Sequence, residues 1–94
     1  MDDLSRLSLL GRRLPPLFDV RTVDIAPAAM RAYDAGEWRD ALVVVERGEV
    51  ELESLHGSLR SFGRGSILWL ADLPLRALHN RGPDHALLVA VTRR

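Results

Sequence analysis

The sequence predicts an all-β domain, a small sandwich or barrel of seven to eight main strands behind a short N-terminal arm. Two observations carry that reading. Short runs rich in Val, Ile and Leu alternate with Gly, Pro, Asn and Asp turn signals roughly every 8–12 residues, the spacing of short strands joined by tight turns. The runs Ala41–Val45 and Ala86–Thr92 carry no charge at all, as strands covered on both faces do.

Ninety-four residues make one domain, 1–94, with an arm over 1–17 and a barrel over 18–94. The chain is 47% hydrophobic and 28% charged with a formal net charge of zero, so neither a basic nucleic-acid surface nor an acidic tail is implied. All 13 basic residues are Arg, which excludes Schiff-base chemistry through a Lys amine. The absence of Cys excludes disulfides, thiolate metal sites and a Cys nucleophile. Asp2 and Asp3 stand where a secretion signal would be basic, and apolar runs such as Ser66–Ala71 fall far short of the roughly 20 residues of a membrane span. A cytoplasmic protein with neither membrane nor nucleic-acid partners is expected.

In the arm, Leu4, Leu7 and Leu10 follow two Asp at helix-like spacing before Gly11, Pro15 and Pro16 break the chain, and they read as a packing strap. Phe18–Ala26 reads as a strand of imperfect alternation that a bulge near Arg21 and Thr22 would restore. Met30–Tyr33 fits a strand or a helical turn, and Asp34–Gly36 a turn. Ala41–Val45 and Glu49–Leu55 read as two strands joined by a tight hairpin at Gly48. Glu49, Glu51 and Glu53 share one face of the second strand, and their expected partners are Arg side chains across the sheet rather than a cation. His56 and Gly57 turn the chain into Ser58–Phe62. Phe62–Asn80 then holds two strands around a corner at Pro74, Arg81–Asp84 turns, and Ala86–Thr92 closes the sheet.

From Val20 to Val91 these residues resemble the conserved barrel of the cupins, small jelly rolls. The resemblance rests on the E-x-G-E segment at Glu46–Glu49, the G-x-I-L-W-L run from Gly65 and the N-x-G turn and apolar strand from Asn80. It implies a jelly-roll fold and a homodimer. In typical cupins the first motif supplies two His and a Glu to a divalent metal, and the second supplies a third His. Here Ala41 stands at the Glu position and Ala35 and Glu37 in the region of the two His. Arg76, or Leu75 on a one-residue shift, takes the third His position. None but Glu37 is a ligand type, so the resemblance carries over the fold without the metal, and no cofactor is expected.

The polar residues near that region are Glu37, Trp38, Arg39, Asp40, Arg76 and His79. Arg76 and Arg39 suit a carboxylate or phosphate by their planar forks, with Trp38 and Trp69 as core or pocket wall. Glu37, Asp40 and His79 are the acid or base candidates. Strand alternation places Arg76, Leu78 and Asn80 on one face and Leu75, Ala77 and His79 on the other. His56 sits on a turn and His85 just before a strand, and both read as solvated. The first functional reading is a metal-free binding or structural and dimerisation domain. The alternatives are a metal-independent isomerase, cyclase or lyase acting on a small acidic substrate, and a sensor domain for a regulatory partner.

Overall fold

A computed structural model describes residues 18–93, and the expected arm lies outside them. Eight strands follow in order: β1 (Phe18–Ile25), β2 (Met30–Ala32), β3 (Ala41–Arg47), β4 (Glu49–Ser54), β5 (Leu59–Gly63), β6 (Ile67–Trp69), β7 (Leu75–His79) and β8 (Ala86–Arg93). They form two four-stranded sheets, β1-β8-β3-β6 and β2-β7-β4-β5, with every pairing antiparallel. This is the jelly-roll sandwich that the sequence predicts. Met30–Ala32 resolves as a strand. Among the described residues no helix is long and apolar enough to cross a membrane.

Alternation makes the core. Val23 and Ile25 of β1, Val43 and Val45 of β3, Val50 and Leu52 of β4, Leu78 of β7 and Leu88 of β8 point between the sheets and pack together. Burial of each such side chain contributes about 1.5–3 kcal/mol, which makes this layer the main source of stability. On the outer sides of β3 and β8, Val44 and Val89 are buried as well, while Leu42 is exposed.

Two expectations are corrected. The tight hairpin at Gly48 is a corner between sheets, because β3 pairs with β6 and β8 while β4 pairs with β5 and β7. Gly48 has φ 71°, and a Cβ there would lie 2.9 Å from Ala86 Cα and closer still to the His85 carbonyl oxygen. Glycine is therefore required both by conformation and by the close approach of the 85–86 backbone. The bulge expected at Arg21 and Thr22 is also absent, since β1 pairs with β8 in unbroken register from Phe18↔Arg93 to Ile25↔Ala86. Arg21 consequently shares the inward side with Val23 and Ile25, at the end where the sandwich opens to solvent.

At the opposite end Asn80 is buried, with its side-chain nitrogen donating to Ile25 O at 2.8 Å and Asp84 O at 2.7 Å. Its side-chain oxygen accepts from Gly82 N at 2.9 Å. One amide thus ties the end of β1, the end of β7 and the 81–85 turn, satisfying polar groups that the core has cut off from water.

Candidate functional site

The open end of the barrel is formed by residues 33–40, 55–58 and 70–75 together with the inward side chains of β1 and β2. Arg31 lies opposite Leu78 in register, so it points inward as Leu78 does. Its guanidinium holds both carboxylate oxygens of Glu37, with Nε donating to Oε1 at 3.3 Å and Nη2 paired with Oε2. Arg21 donates to the Glu37 carbonyl at 2.5 Å and stands 3.7 Å from the same carboxylate. The Arg21 guanidinium also covers the fully buried Trp38 ring. Beside them the Tyr33 hydroxyl donates to Leu70 O at 2.7 Å, joining the loop after β2 to the loop after β6. Trp38, Tyr33 and Leu70 therefore close the mouth with packed side chains.

The charges here are arranged as a structural clamp. The hydrogen bond that Arg31 donates to Glu37, and then the charge of that carboxylate, hold Arg31 still more firmly protonated, outweighing the opposing effect of burial. Burial first, and the nearby Asp72 and Asp34 carboxylates second, push the Tyr33 phenol above its ordinary value. Glu37, an acid or base candidate from sequence, has both oxygens committed to guanidinium groups. Arg21 and Arg31 are site residues that sequence reasoning passes over. The available signal was strict alternation from Val23, which places Arg21 inward once no bulge is assumed.

Arg76 and His79 do not face this mouth. Glu53 lies opposite Ala77 and Ser54 opposite Leu75, so β7 has one extra residue at Arg76. The irregularity resets the alternation: Leu75 packs on the core and Arg76 turns out, 59% exposed. This corrects the facing read from sequence, which grouped Arg76 with Leu78 and Leu75 with His79. On the outer face Arg76 Nε stands 3.5 Å from Glu53 Oε2, and its Nη2 donates to Leu55 O at 3.3 Å. His79 Nε2 is 2.7 Å from Glu53 Oε1, and Arg81 pairs with Glu51. The acidic face of β4 thus meets Arg and His across the sheet, as the cross-strand reading expects.

Three other candidates come together elsewhere. Arg39, Asp40 and Trp69 line a surface cavity of about 300 Å³ with Ala35, Ala71 and Asp72. Trp69 lies opposite Leu42 on the outer side of β6 and is 52% exposed, so it belongs to neither the core nor the barrel interior. A second cavity, of about 210 Å³, opens on the inward side of β4 and β5, between Leu52, Arg60, Phe62 and the Leu73–Leu75 segment. His56 is exposed, and the exposed His85 pairs with Asp24 at 2.7 Å.

Of the residues that the cupin resemblance sets near ligand positions, Ala41 is buried and has no lone pair to offer, Leu75 packs on the core, Arg76 turns out, and Glu37 is held by two Arg. Among the described residues no cluster of His, Asp and Glu is placed to hold a metal ion.

Comparison with solved structures agrees with this architecture. The chain is similar to a Cupin 2 conserved barrel domain protein from Salinispora arenicola, at 21% identity and TM-score 0.63, over 86% of this chain and 69% of that one. It is similar also to the Cupin 2 domain of an XRE family transcriptional regulator from Enterobacter cloacae, at 22% identity and TM-score 0.58, over 83% and 82% of the two chains. A third likeness is to a sugar phosphate isomerase of the cupin superfamily from Silicibacter pomeroyi, at 27% identity and TM-score 0.58. There the match covers 83% of this chain and 52% of the other, so the chain spans about half the length of that protein. No protein-family model and no curated protein sequence matches the chain. The fold is therefore that of the cupin barrels.

Proposed function

We propose that this is a metal-free cupin-type domain that works as a binding and structural module, assembled as a homodimer through the outer face of its β1-β8-β3-β6 sheet. The observation that carries the proposal is the contrast between the two outer faces. On the β2-β7-β4-β5 sheet, Glu51, Glu53, Arg76, His79 and Arg81 form a solvated, paired surface. On the other sheet the outward positions are mostly apolar, Phe18 and Val20 of β1, Leu87, Val89 and Val91 of β8, Leu42 and Val44 of β3, and Ile67 and Trp69 of β6, with Thr22, Asp24 and Arg93 toward the ends of β1 and β8. Phe18, Val20, Leu42, Ile67 and Trp69 are all well exposed, forming a contiguous apolar surface of the kind that marks an interface. A patch without charge at its centre is self-complementary, as a two-fold interface requires.

The occupant proposed for this face is a second copy of the chain. Sedimentation of the purified protein at about 50 µM should give a dimer, and Leu42→Glu together with Ile67→Glu should give a folded monomer, because like charges would be buried face to face. A wild-type monomer at that concentration sinks the assembly reading. Metal analysis of protein purified without chelators checks the other half, and a stoichiometric transition metal would overturn it.

Catalysis by the groups considered from sequence lacks a common site. Arg76 and His79 lie on the outer face, Asp40 in the cavity beside Trp69, and Glu37 in its clamp. The 210 Å³ cavity is what favours a small-molecule role for the domain.

A further inference from the structure

We propose that the cavity between β4, β5 and the Leu73–Leu75 segment binds a small amphipathic monocarboxylate, its apolar body against Leu52, Phe62 and Leu75 and its carboxylate on Arg60. This rests on the small-molecule half of the reading above and is independent of the dimer.

Register places Arg60. Leu52 lies opposite Arg60 and Val50 opposite Phe62, and Val50 and Leu52 are core residues. Arg60 therefore sits on the inward side of β5, where the other side chains are apolar. Its guanidinium lies 5.6 Å from the centre of the Phe62 ring, a contact that orients the planar fork without using its N–H donors. Arg60 is exposed at the rim of the cavity, and among the described residues no carboxylate is paired with it. Ser54, also in the lining, accepts through Oγ from His56 N at 3.2 Å and Ser58 N at 3.0 Å, which leaves its O–H as a second donor.

The chemistry of the lining selects the ligand. A largely apolar cavity whose rim carries a cation with no carboxylate partner among the described residues fits an anion that brings its own apolar body. A phosphate would have to shed a much stronger hydration shell against Leu, Pro and Phe for a single Arg. At about 210 Å³ the cavity is small, which suits a short-chain or single-ring acid rather than a larger ligand. The competing account of Arg60 is a guard on an edge strand, since an inward-pointing charge deters pairing with another chain. A guard needs charge of either sign, whereas carboxylate recognition needs a cation.

The test is an amide chemical-shift titration of the full chain with sodium hexanoate, sodium benzoate, hexanol and inorganic phosphate. Hexanoate or benzoate should shift residues of β4, β5 and 73–75 saturably, with hexanol and phosphate at least about tenfold weaker, the loss expected when a charge-assisted hydrogen bond is missing. Arg60→Met, which keeps the apolar stem, should weaken the acid about tenfold or more, and Arg60→Glu should abolish its binding while preserving an edge charge. Leu75→Trp should block the cavity in a protein that still melts cooperatively. Absence of saturable shifts with either acid overturns the proposal, as does equal binding of hexanol or undiminished binding by Arg60→Met. Sedimentation of the same samples separates the outcomes: a dimer that ignores the acids removes this ligand and leaves the assembly reading standing.

Discussion

The Arg21 guanidinium lies 5.0 Å from the centre of the Trp38 ring, joining the edge strand β1 to the turn before β3 at the open end of the barrel. Trp38 is completely buried, and among the described residues its indole N–H has no hydrogen-bond partner. A cation over the ring face is thus the main polar interaction of that side chain. Arg21→Ala should cost about 1 kcal/mol in urea unfolding, because the pair is partly exposed and a charged contact to Glu37 goes with it. Unchanged stability would show that the ring is held by packing alone.

The two Trp should behave as opposites in fluorescence. In Trp69→Phe the remaining Trp38 should emit at shorter wavelength and resist iodide quenching, since it has no exposed surface. In Trp38→Phe the remaining Trp69 should be quenched readily at low protein concentration and become protected as concentration rises, because the proposed interface covers it. A concentration-independent quenching constant for Trp69 would count against pairing through this face.

Asn80 should be among the least replaceable polar residues. Asn80→Ala removes three hydrogen bonds and strands the buried carbonyl of Ile25, a loss of about 2–4 kcal/mol by urea titration. Asn80→Asp should be comparably harmful, since an ionised carboxylate has no donor for Ile25 O or Asp84 O. A near-neutral Asn80→Ala would mean that water or backbone movement replaces the amide.

Gly48→Ala should destabilise by at least about 1–2 kcal/mol, from the left-handed conformation alone and before any clash is counted. Asn tolerates positive φ better than Ala, but its Cβ meets the same His85–Ala86 backbone. Gly48→Asn should therefore be no better, and a clear recovery with Asn would show that conformation rather than close approach sets the requirement.

Tyr33 links stability to alkaline pH. Its phenol is raised in the folded state, chiefly by burial, above the value of about 10 that it has when unfolded. The folded state thus holds its proton more tightly, so this contribution is complete below about pH 10 and is lost as pH climbs through the folded value. Urea midpoints measured on either side of pH 10 should fall with pH in the wild type and less steeply in Tyr33→Phe. Tyr33→Phe should also cost about 1 kcal/mol at neutral pH through the lost bond to Leu70 O. Parallel pH profiles for the two proteins would rule this assignment out.

How far the sequence reaches is clear from particular residues. The valines of β3, the apolar run of β8, the acidic alternation of β4 and the turns at His56–Gly57 and Arg81–Asp84 are local patterns. Each was legible because a strand of period two and a tight turn are set by residues next to one another. The side taken by Arg76 was not, because one extra residue in β7 turns every facing after it, and that residue exists only relative to the register of β4. Gly48 looked like a hairpin because its turn is local, while the choice of sheet for β3 and β4 depends on partners far along the chain.

By itself, then, the sequence determined the strands, their turns and the apolar interior. Tertiary structure alone decided that Arg21 and Arg31 close on Glu37, that Arg76 and His79 meet on Glu53, and that Arg60 stands unpaired among the described residues beside an apolar cavity. The reason is physical: a side chain's facing follows from its own strand, whereas its partner follows from which strand is laid beside it and in which register.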